Sequence, residues 1–350
     1  MALPLISVVV PAYNVAPYIR ECIESLAGTA SPDFELLVID DGSTDGTGAL
    51  LDELRTTRPW LQVLHIDNVG VTAARSLGLS RSRGEYIWFV DADDIAHPAA
   101  PERIRSAVLA DRPDILQFDF QRSYPDGSLR PSQGKCSLPP GRIFAAREVA
   151  LPALFEDQLF YLWQRVFRRC LFADDDLPNP ELRCFVDMVH TPLLYTRAAS
   201  FLFLDEVLLT YRHREGSIVH SIGVRSVLGK WQAAALCRKI LTAAGDYERC
   251  SRPFAGFVGH VFLSTSRDCV RRVDDAEPAV LLEHVRRELA QMAGPAGWRF
   301  IRLSMSALKP TQVLTFLQYY LLPVKSLVAL KRRHAPPPPA PCARRVPEAR

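Results

Sequence analysis

Several large classes of protein are excluded by what this chain has little of. Its eight cysteines lie far apart, with no Cys-x-x-Cys pair and no tight Cys/His cluster. Neither a disulfide framework nor a structural zinc site is encoded, and free thiols in a reducing cytosol fit better. The opening Met1-Ala2-Leu3-Pro4-Leu5 lacks the basic region and small-residue cleavage site of a signal peptide. A cytoplasmic chain is therefore expected. Net charge is only +3, so composition gives no reason to expect nucleic acid. There is no internal repeat.

No uninterrupted apolar stretch is long enough for a confident transmembrane helix. The nearest, residues 313–330, is broken by Gln318, Pro323 and Lys325. Lys331-Arg332-Arg333-His334 follows it. Two readings stay open for 313–334: a core helix pair with a solvated basic end, or a segment lying on an anionic membrane surface. Residues 335–350 are rich in proline and predict an extended, disordered tail.

What is present reads as an ordinary globular composition, 48% hydrophobic and 23% charged. At 350 residues, one large or two modest domains are possible. Strand and helix patterns alternate over the first hundred residues. Ile6-Ser7-Val8-Val9-Val10 is a strand, and residues 16–27 carry Ile19, Cys22, Ile23 and Leu26 at helical spacing. Glu35-Leu36-Leu37-Val38-Ile39 is a second strand. A helix capped by Ser43 or Thr44 runs on to about Thr57. Residues 61–66 form a third strand and 71–82 a third helix, and Tyr86-Ile87-Trp88-Phe89-Val90 closes the series. Such alternation implies an α/β fold with a mostly parallel, doubly wound sheet, whose chemistry gathers at the strands' carboxyl ends. Beyond Pro113, a strand is expected over 114–124, helices over 155–172 and 186–198, and a late strand over 199–211. From 223 to 330 the pattern is amphipathic helices broken at Gly245, Pro253, Pro278, Gly294-Pro295 and Pro310.

The most informative four residues are Asp91-Ala92-Asp93-Asp94, at the exit of the apolar strand. Two unit charges about 5 Å apart at an effective dielectric near 20 repel by roughly 3 kcal/mol. A hard divalent cation such as Mg²⁺ or Mn²⁺, shared with a substrate's phosphates, would turn that repulsion into a binding site. A solvated acidic turn is the bland alternative.

Four segments in order resemble the inverting glycosyltransferases of family 2, which have the Rossmann-like GT-A fold. They are Ile6 to Asn14, Val38 to Thr47, Gly70 to Gly78 (with Ser76 where Asn is usual) and Gly84 to Asp94. Weaker likeness continues through 163–172 and 211–218. The resemblance implies a GT-A domain over 1–220, divided into a nucleotide-sugar half (1–112) and an acceptor half (113–220). A helical C-terminal region (221–334) and the tail would follow.

The resemblance also implies roles. The donor would be a nucleotide-diphosphate sugar, UDP-linked and carrying a hexose or N-acetylhexosamine. The acceptor would be a glycan or lipid-linked sugar of bacterial surface polysaccharide synthesis. Asp93 would bind the metal, which stabilises the departing diphosphate; Asp91 would point toward the ribose or its neighbourhood, and Ala92 would belong to the same nucleotide-sugar site. Pro11, Tyr13 and Asn14 would bind the nucleotide sugar, with Tyr13 stacking on the base. Asp41, or alternatively Asp40, would accept from its ring N–H, while the other caps a helix. Arg75 would hold a phosphate or an acidic loop partner. Arg214 and Ser217 would fold over the diphosphate, with Arg212 and His213 near enough to replace them.

Inversion needs a base for the acceptor hydroxyl. The family's Glu-Asp pair corresponds here to Val186-Asp187, which leaves Asp187 as the base and removes its neighbour. Asp174-Asp175-Asp176 is a competing acidic cluster. Trp163 would wall the acceptor site or fill the core. His190, one turn after Asp187, would orient it, contact acceptor or be structural. Two rival functions remain: a phosphohydrolase using the Asp-x-Asp pair, and a nucleotide-sugar-binding protein without catalysis, suggested by Val186.

Overall fold

β-branched and aromatic runs separated by amphipathic segments fold in the alternating order their patterns predict. The computed structural model describes residues 3–132, 134–173, 185–214, 224–271 and 278–322. Its first part runs β1 (Ile6–Ala12), α1 (Ala16–Ser25), β2 (Phe34–Asp41), α2 (Thr47–Thr57), β3 (Leu61–Ile66), α3 (Val71–Arg81) and β4 (Tyr86–Phe89). There follow β5 (Ile95–Ala96), α4 (Ala100–Asp111), β6 (Ile115–Ser123), β7 (Leu129–Pro131), β8 (Ile143–Ala145) and α5 (Leu151–Asp157). Then come β9 (Arg165–Arg168), α6 (Asp187–Arg197) and β10 (Ser200–Arg212).

One sheet carries the order β3-β2-β1-β4-β9-β6-β10-β5. β1 pairs in parallel with β2 and β4, β2 with β3, and β6 with β10. Side chains alternate across it, as strand geometry requires. Ile6, Val8 and Val10 pack in one layer with Ile19 of α1, Leu51 of α2 and Ile104 of α4. Val9, Ile87 and Phe89 face the other layer. α3 lies close on that second face because of Gly78, where an added Cβ would come within 2.3 Å of the Val9 side chain.

Three local expectations are corrected. Residues 155–172 are not one helix. α5 ends at Asp157, Gln158 turns with φ +57°, and Arg165–Arg168 form β9. β9 is antiparallel to both β4 and β6 and fills the gap between them. Local helical pattern yields there to the ladder hydrogen bonds those two strands leave open. Second, α2 begins after Gly46, and its first turn is met by Asp45, whose Oδ1 accepts from Thr47 N–H at 3.0 Å, rather than by Ser43 or Thr44. Third, Pro253 lies inside a helix and does not break it, held by Phe254 and Phe257 packing on Phe155.

The last third is helical: α7 (Val224–Ala243), α8 (Tyr247–Arg271), α9 (Pro278–Ala293), α10 (Gly297–Ser306) and α11 (Pro310–Leu321). Trp231, Phe254, Leu282, Phe300 and Phe316 from these helices join Phe155, Phe167 and Phe89 in one apolar cluster. Among the described residues, no helix is long and apolar enough to cross a membrane. The expected tail, the cluster 331–334, Ser217 and Asp174 to Asp176 lie outside the described residues. Cys22, Cys136, Cys170, Cys237, Cys250 and Cys269 are free thiols.

Candidate active site

Parallel pairing brings the carboxyl ends of β1, β2 and β4 to one edge, and the acidic and aromatic motifs with them. Register pairs Ala12 with Asp40 and Asp41 with Ile66. The two loops that leave β1 and β2 are fastened to each other. Asn14, at φ +50°, donates its N–H to Ser43 Oγ (3.0 Å) and accepts from Thr44 N–H (2.8 Å). A left-handed backbone is tolerated by asparagine better than by most residues. Val15 N–H donates to Thr47 Oγ1 and Ala16 N–H to Asp45 Oδ2, so side chains of one loop satisfy the open N–H groups of α1. Partial burial works against the Asp45 charge, but the hydrogen bonds from Thr47 and Ala16 hold its carboxyl below the usual range. Pro11 lies within the buried strand opposite Ile39, while Tyr13, just past its end, stands 49% exposed above this edge.

The Asp40–Asp41 pair is divided by strand alternation. Asp40 binds His65 Nδ1 through Oδ2 (2.8 Å) and accepts from Ser43 N–H through Oδ1 (3.2 Å). Asp41 accepts from Val69 N–H (2.7 Å) and Gly70 N–H (2.9 Å). Both are nearly buried and already hydrogen-bonded to protein. Asp40 thus braces its own turn, and Asp41 ties β2 to the start of α3.

The third motif meets the fourth through Arg75, on α3. The side chain is 7% exposed and bridges two carboxylates: Nη2 donates to Asp91 Oδ1 at 2.7 Å, and Nη1 to Asp187 Oδ1 at 3.0 Å. Burial alone would lower its pKa, yet Asp187 and Asp91 outweigh it and the pKa is raised. Of the two partners foreseen for this fork, the acidic one is realised. The other oxygen of Asp187 accepts from Leu162 N–H at 3.1 Å. Asp187 is the first residue of α6, where the helix dipole favours a negative charge. Just before it, Phe185 takes φ +60°, a costly conformation for a bulky residue, which turns the chain into the helix. Val186, standing where the family has an acid, is 8% exposed and packs in the core.

Asp93 and Asp94 point differently. Asp93 Oδ2 accepts from Arg214 Nε at 2.5 Å. Burial, then the nearby Asp91, raise its pKa against the pull of Arg214. Asp94 is fully buried: Oδ1 accepts from Arg212 N–H at 2.9 Å, and Oδ2 has no hydrogen-bond partner. Burial, Asp93 and Asp91 push its pKa up. Arg212 also donates to Asp93 C=O and to Glu21, pinning the end of β10 to the acidic turn. Residues 212 and 214 sit on one side of an extended chain. Both guanidinium groups accordingly lie over Tyr18, at 5.1 and 5.3 Å from its centroid, while His213 turns away to stack on Tyr124 at 4.8 Å.

On the other flank of Asp187 stands an aromatic series. Tyr161 stacks on Trp163 at 4.9 Å, and Trp163 on Tyr211 at 5.7 Å. Trp163 itself is 3% exposed and fills the interior of that series. His190 is 2% exposed, which leaves it an interior place rather than one at an acceptor surface. Sequence reasoning missed Tyr18, Glu21, His65 and the Leu162 N–H. Tyr18 and Glu21 were findable, being one turn apart on the helix that follows the first motif. The Leu162 contact was hidden by the mistaken helix over 155–172.

A family model described as Glycosyl transferase family 2 matches residues 7–160. The uncharacterised glycosyltransferase EpsJ of Bacillus subtilis is 29% identical over 225 residues, covering 62% of this chain and 63% of EpsJ. Glycosyltransferase GlyG of Streptococcus pneumoniae is 30% identical over 231 residues, covering 62% of this chain and 73% of GlyG. The chain thus spans less than two thirds of the first relative and rather more of the second. Among solved structures, S. aureus TarS 1-349 in complex with UDP-GlcNAc is similar with a TM-score of 0.68 at 21% identity, over 94% of this chain and 92% of that one. That likeness is one of fold.

Proposed function

Because the chain belongs to glycosyltransferase family 2, we propose that it transfers a sugar, with inversion, from a UDP-sugar to a glycan or lipid-linked acceptor. A hexose or N-acetylhexosamine is the donor sugar of this reading, and surface polysaccharide synthesis its setting. The observation that carries it is the Arg75 bridge, which joins a carboxylate of the strand-end acidic turn to a carboxylate almost a hundred residues later. A donor-side group and an acceptor-side group thereby share one buried cation. TarS, the fold neighbour, is a UDP-GlcNAc complex, which supports the choice of nucleotide.

In this reading, Tyr13 stacks on the base, with Asn14 and Asp41 shaping its edge and Asp40 bracing the turn. Asp91 and Ala92 face the ribose. Asp187 takes the proton from the acceptor hydroxyl as that oxygen attacks the anomeric carbon. The bond to the diphosphate oxygen breaks on the opposite side, and the electron pair leaves with UDP. Arg75 and Leu162 N–H fix both oxygens of Asp187, so the base is oriented before substrate arrives. The aromatic flank around Tyr161 and Tyr211 lies beside it, where an acceptor sugar would enter.

The residues fit a divalent cation. Among the described residues there is no cluster of three or more ligands that would hold one alone. A lone carboxylate, Asp93, beside a second, Asp91, suits a hard ion that takes its remaining oxygens from the donor's phosphates. Asp94 Oδ2, buried without a partner, adds an unmet polar demand at the same turn. When bound, Mg²⁺ or Mn²⁺ would neutralise charge growing on the diphosphate. Arg214, paired with Asp93, is the chain's own cation at that position; in this reading it passes to the phosphates when donor binds, together with Ser217, which lies outside the described residues.

A thermal-shift panel of nucleotide sugars with and without Mn²⁺ tests the proposal. A donor at 100 times its Kd stabilises the fold by about 2.7 kcal/mol. Mn²⁺-dependent stabilisation by a UDP-sugar is expected. Indifference to every nucleotide sugar, or release of phosphate from simple phosphomonoesters, would point instead to the hydrolase.

A further inference from the structure

The outer face of the last two helices has no role in the chemistry above, and its composition is unusual. In α11, Thr311, Leu314, Gln318 and Leu321 recur at helical spacing and are all exposed, the two leucines by 61% and 60%. The opposite side of the same helix buries Phe316 and Tyr319. Trp298 of α10 is 60% exposed and meets Tyr320, a half-buried residue on the flank of α11, edge-on at 5.9 Å, which sets the two helices side by side. Arg299 and Arg302, both exposed, lie beside it, Arg302 one turn along on its face.

Charge decides what could cover this patch. Residues 289–347 contain no aspartate or glutamate and nine lysines and arginines, whereas the rest of the chain has more acidic than basic residues. Arg299, Arg302 and Lys309 are the three of the nine that lie among the described residues, all exposed. A second copy of the chain, docked about a two-fold axis, would set this cationic face against itself. An anionic surface meets it with the opposite sign. Exposed tryptophan and leucine rimmed by arginine is the composition of helices that lie in a lipid interface without spanning it.

We infer that the α10–α11 face docks on an anionic phospholipid surface, through Trp298, Leu314 and Leu321 inserted among the headgroups and Arg299 and Arg302 against them. This binding is independent of donor, metal and base. It would hold the protein beside lipid-linked molecules.

Flotation of the full chain with vesicles tests it. Vesicles of phosphatidylglycerol and phosphatidylethanolamine should carry the protein up, pure phosphatidylcholine should not, and 0.5 M salt should release it. Each cation at an anionic surface is worth about a fivefold change in binding. Arg299→Glu with Arg302→Glu should therefore weaken binding by more than about tenfold. Trp298→Ser with Leu314→Ser and Leu321→Ser should do at least as much. All five side chains are exposed, so melting temperature should hold; if the apolar triple variant melts early, the charge-reversal pair still decides. Equal binding to phosphatidylcholine overturns the inference. So does unchanged flotation of the charge-reversal pair, or a wild-type dimer that the triple variant converts to monomer without loss of flotation.

Discussion

Two sets of carboxylates line the same edge of one sheet, and they are held by different means. Asp40, Asp41 and Asp45 are fastened mainly by backbone N–H groups and by neighbours within the β1–β3 loops. Asp91, Asp93 and Asp187 are held by the guanidinium groups of Arg75 and Arg214. A backbone donor cannot move without unmaking the fold, whereas a side-chain cation can be exchanged for another. The first set is therefore framework. In the proposed reaction, the second is where charge would be traded.

The sharpest way to break that division is to neutralise a member of the second set. Asp187→Asn should reduce transfer by about 10²–10⁴-fold, with donor-induced thermal stabilisation retained. Unchanged turnover would move the base elsewhere. Next in size is the bridge itself. Arg75→Ala leaves two carboxylates without their shared cation, one of them against a largely buried space, and should cost about 3 kcal/mol, read from the urea midpoint. A loss under about 0.5 kcal/mol would mean that the ion pairs contribute no more than surface ones do.

The framework set should behave in the opposite way. Asp45→Ala removes the acceptor for Ala16 N–H and Thr47 N–H and should cost about 1.5 kcal/mol of stability, while kcat stays within twofold. The smallest effect is pH-dependent. The hydrogen bond to Asp40 raises the His65 pKa, with burial opposing and Asp52 assisting. A raised pKa means that the stabilisation is complete below about 6.5, the unfolded value, and fades as pH rises through the folded one. Since the His65 side chain is 41% exposed, solvent screening limits the benefit to about 0.5 kcal/mol. His65→Asn should thus lose stability at pH 5.5 and lose less at pH 9; a constant difference would rule out the ion pair.

The framework was largely legible because it is local. The runs Ile6 to Val10 and Tyr86 to Val90 and the turn residues after them mark strands and loops within a few residues of each other. Arg75 was legible as a fork for a phosphate or an acidic partner, but which acidic residues it meets depended on α3 closing on β1 at Gly78. β9 was not legible. Arg165–Arg168 carry no strong strand signal of their own, and their state is set by two strands distant in sequence. Leu162 N–H, which fixes Asp187, went unseen for the same reason.

β9 also has a consequence for how the chain is made. During synthesis β1 to β4 can pair as soon as they leave the ribosome, but β4 then has a bare edge. Trp88 must wait for Val166, roughly 80 residues later, which at 5–20 residues per second is about 4–16 s. For that interval Tyr86-Ile87-Trp88-Phe89 is an apolar strand edge with nothing beside it, the kind of template on which nascent chains pair wrongly. A pause in translation between codons 90 and 165 would lengthen that exposure, and a chaperone that shields this edge would shorten it.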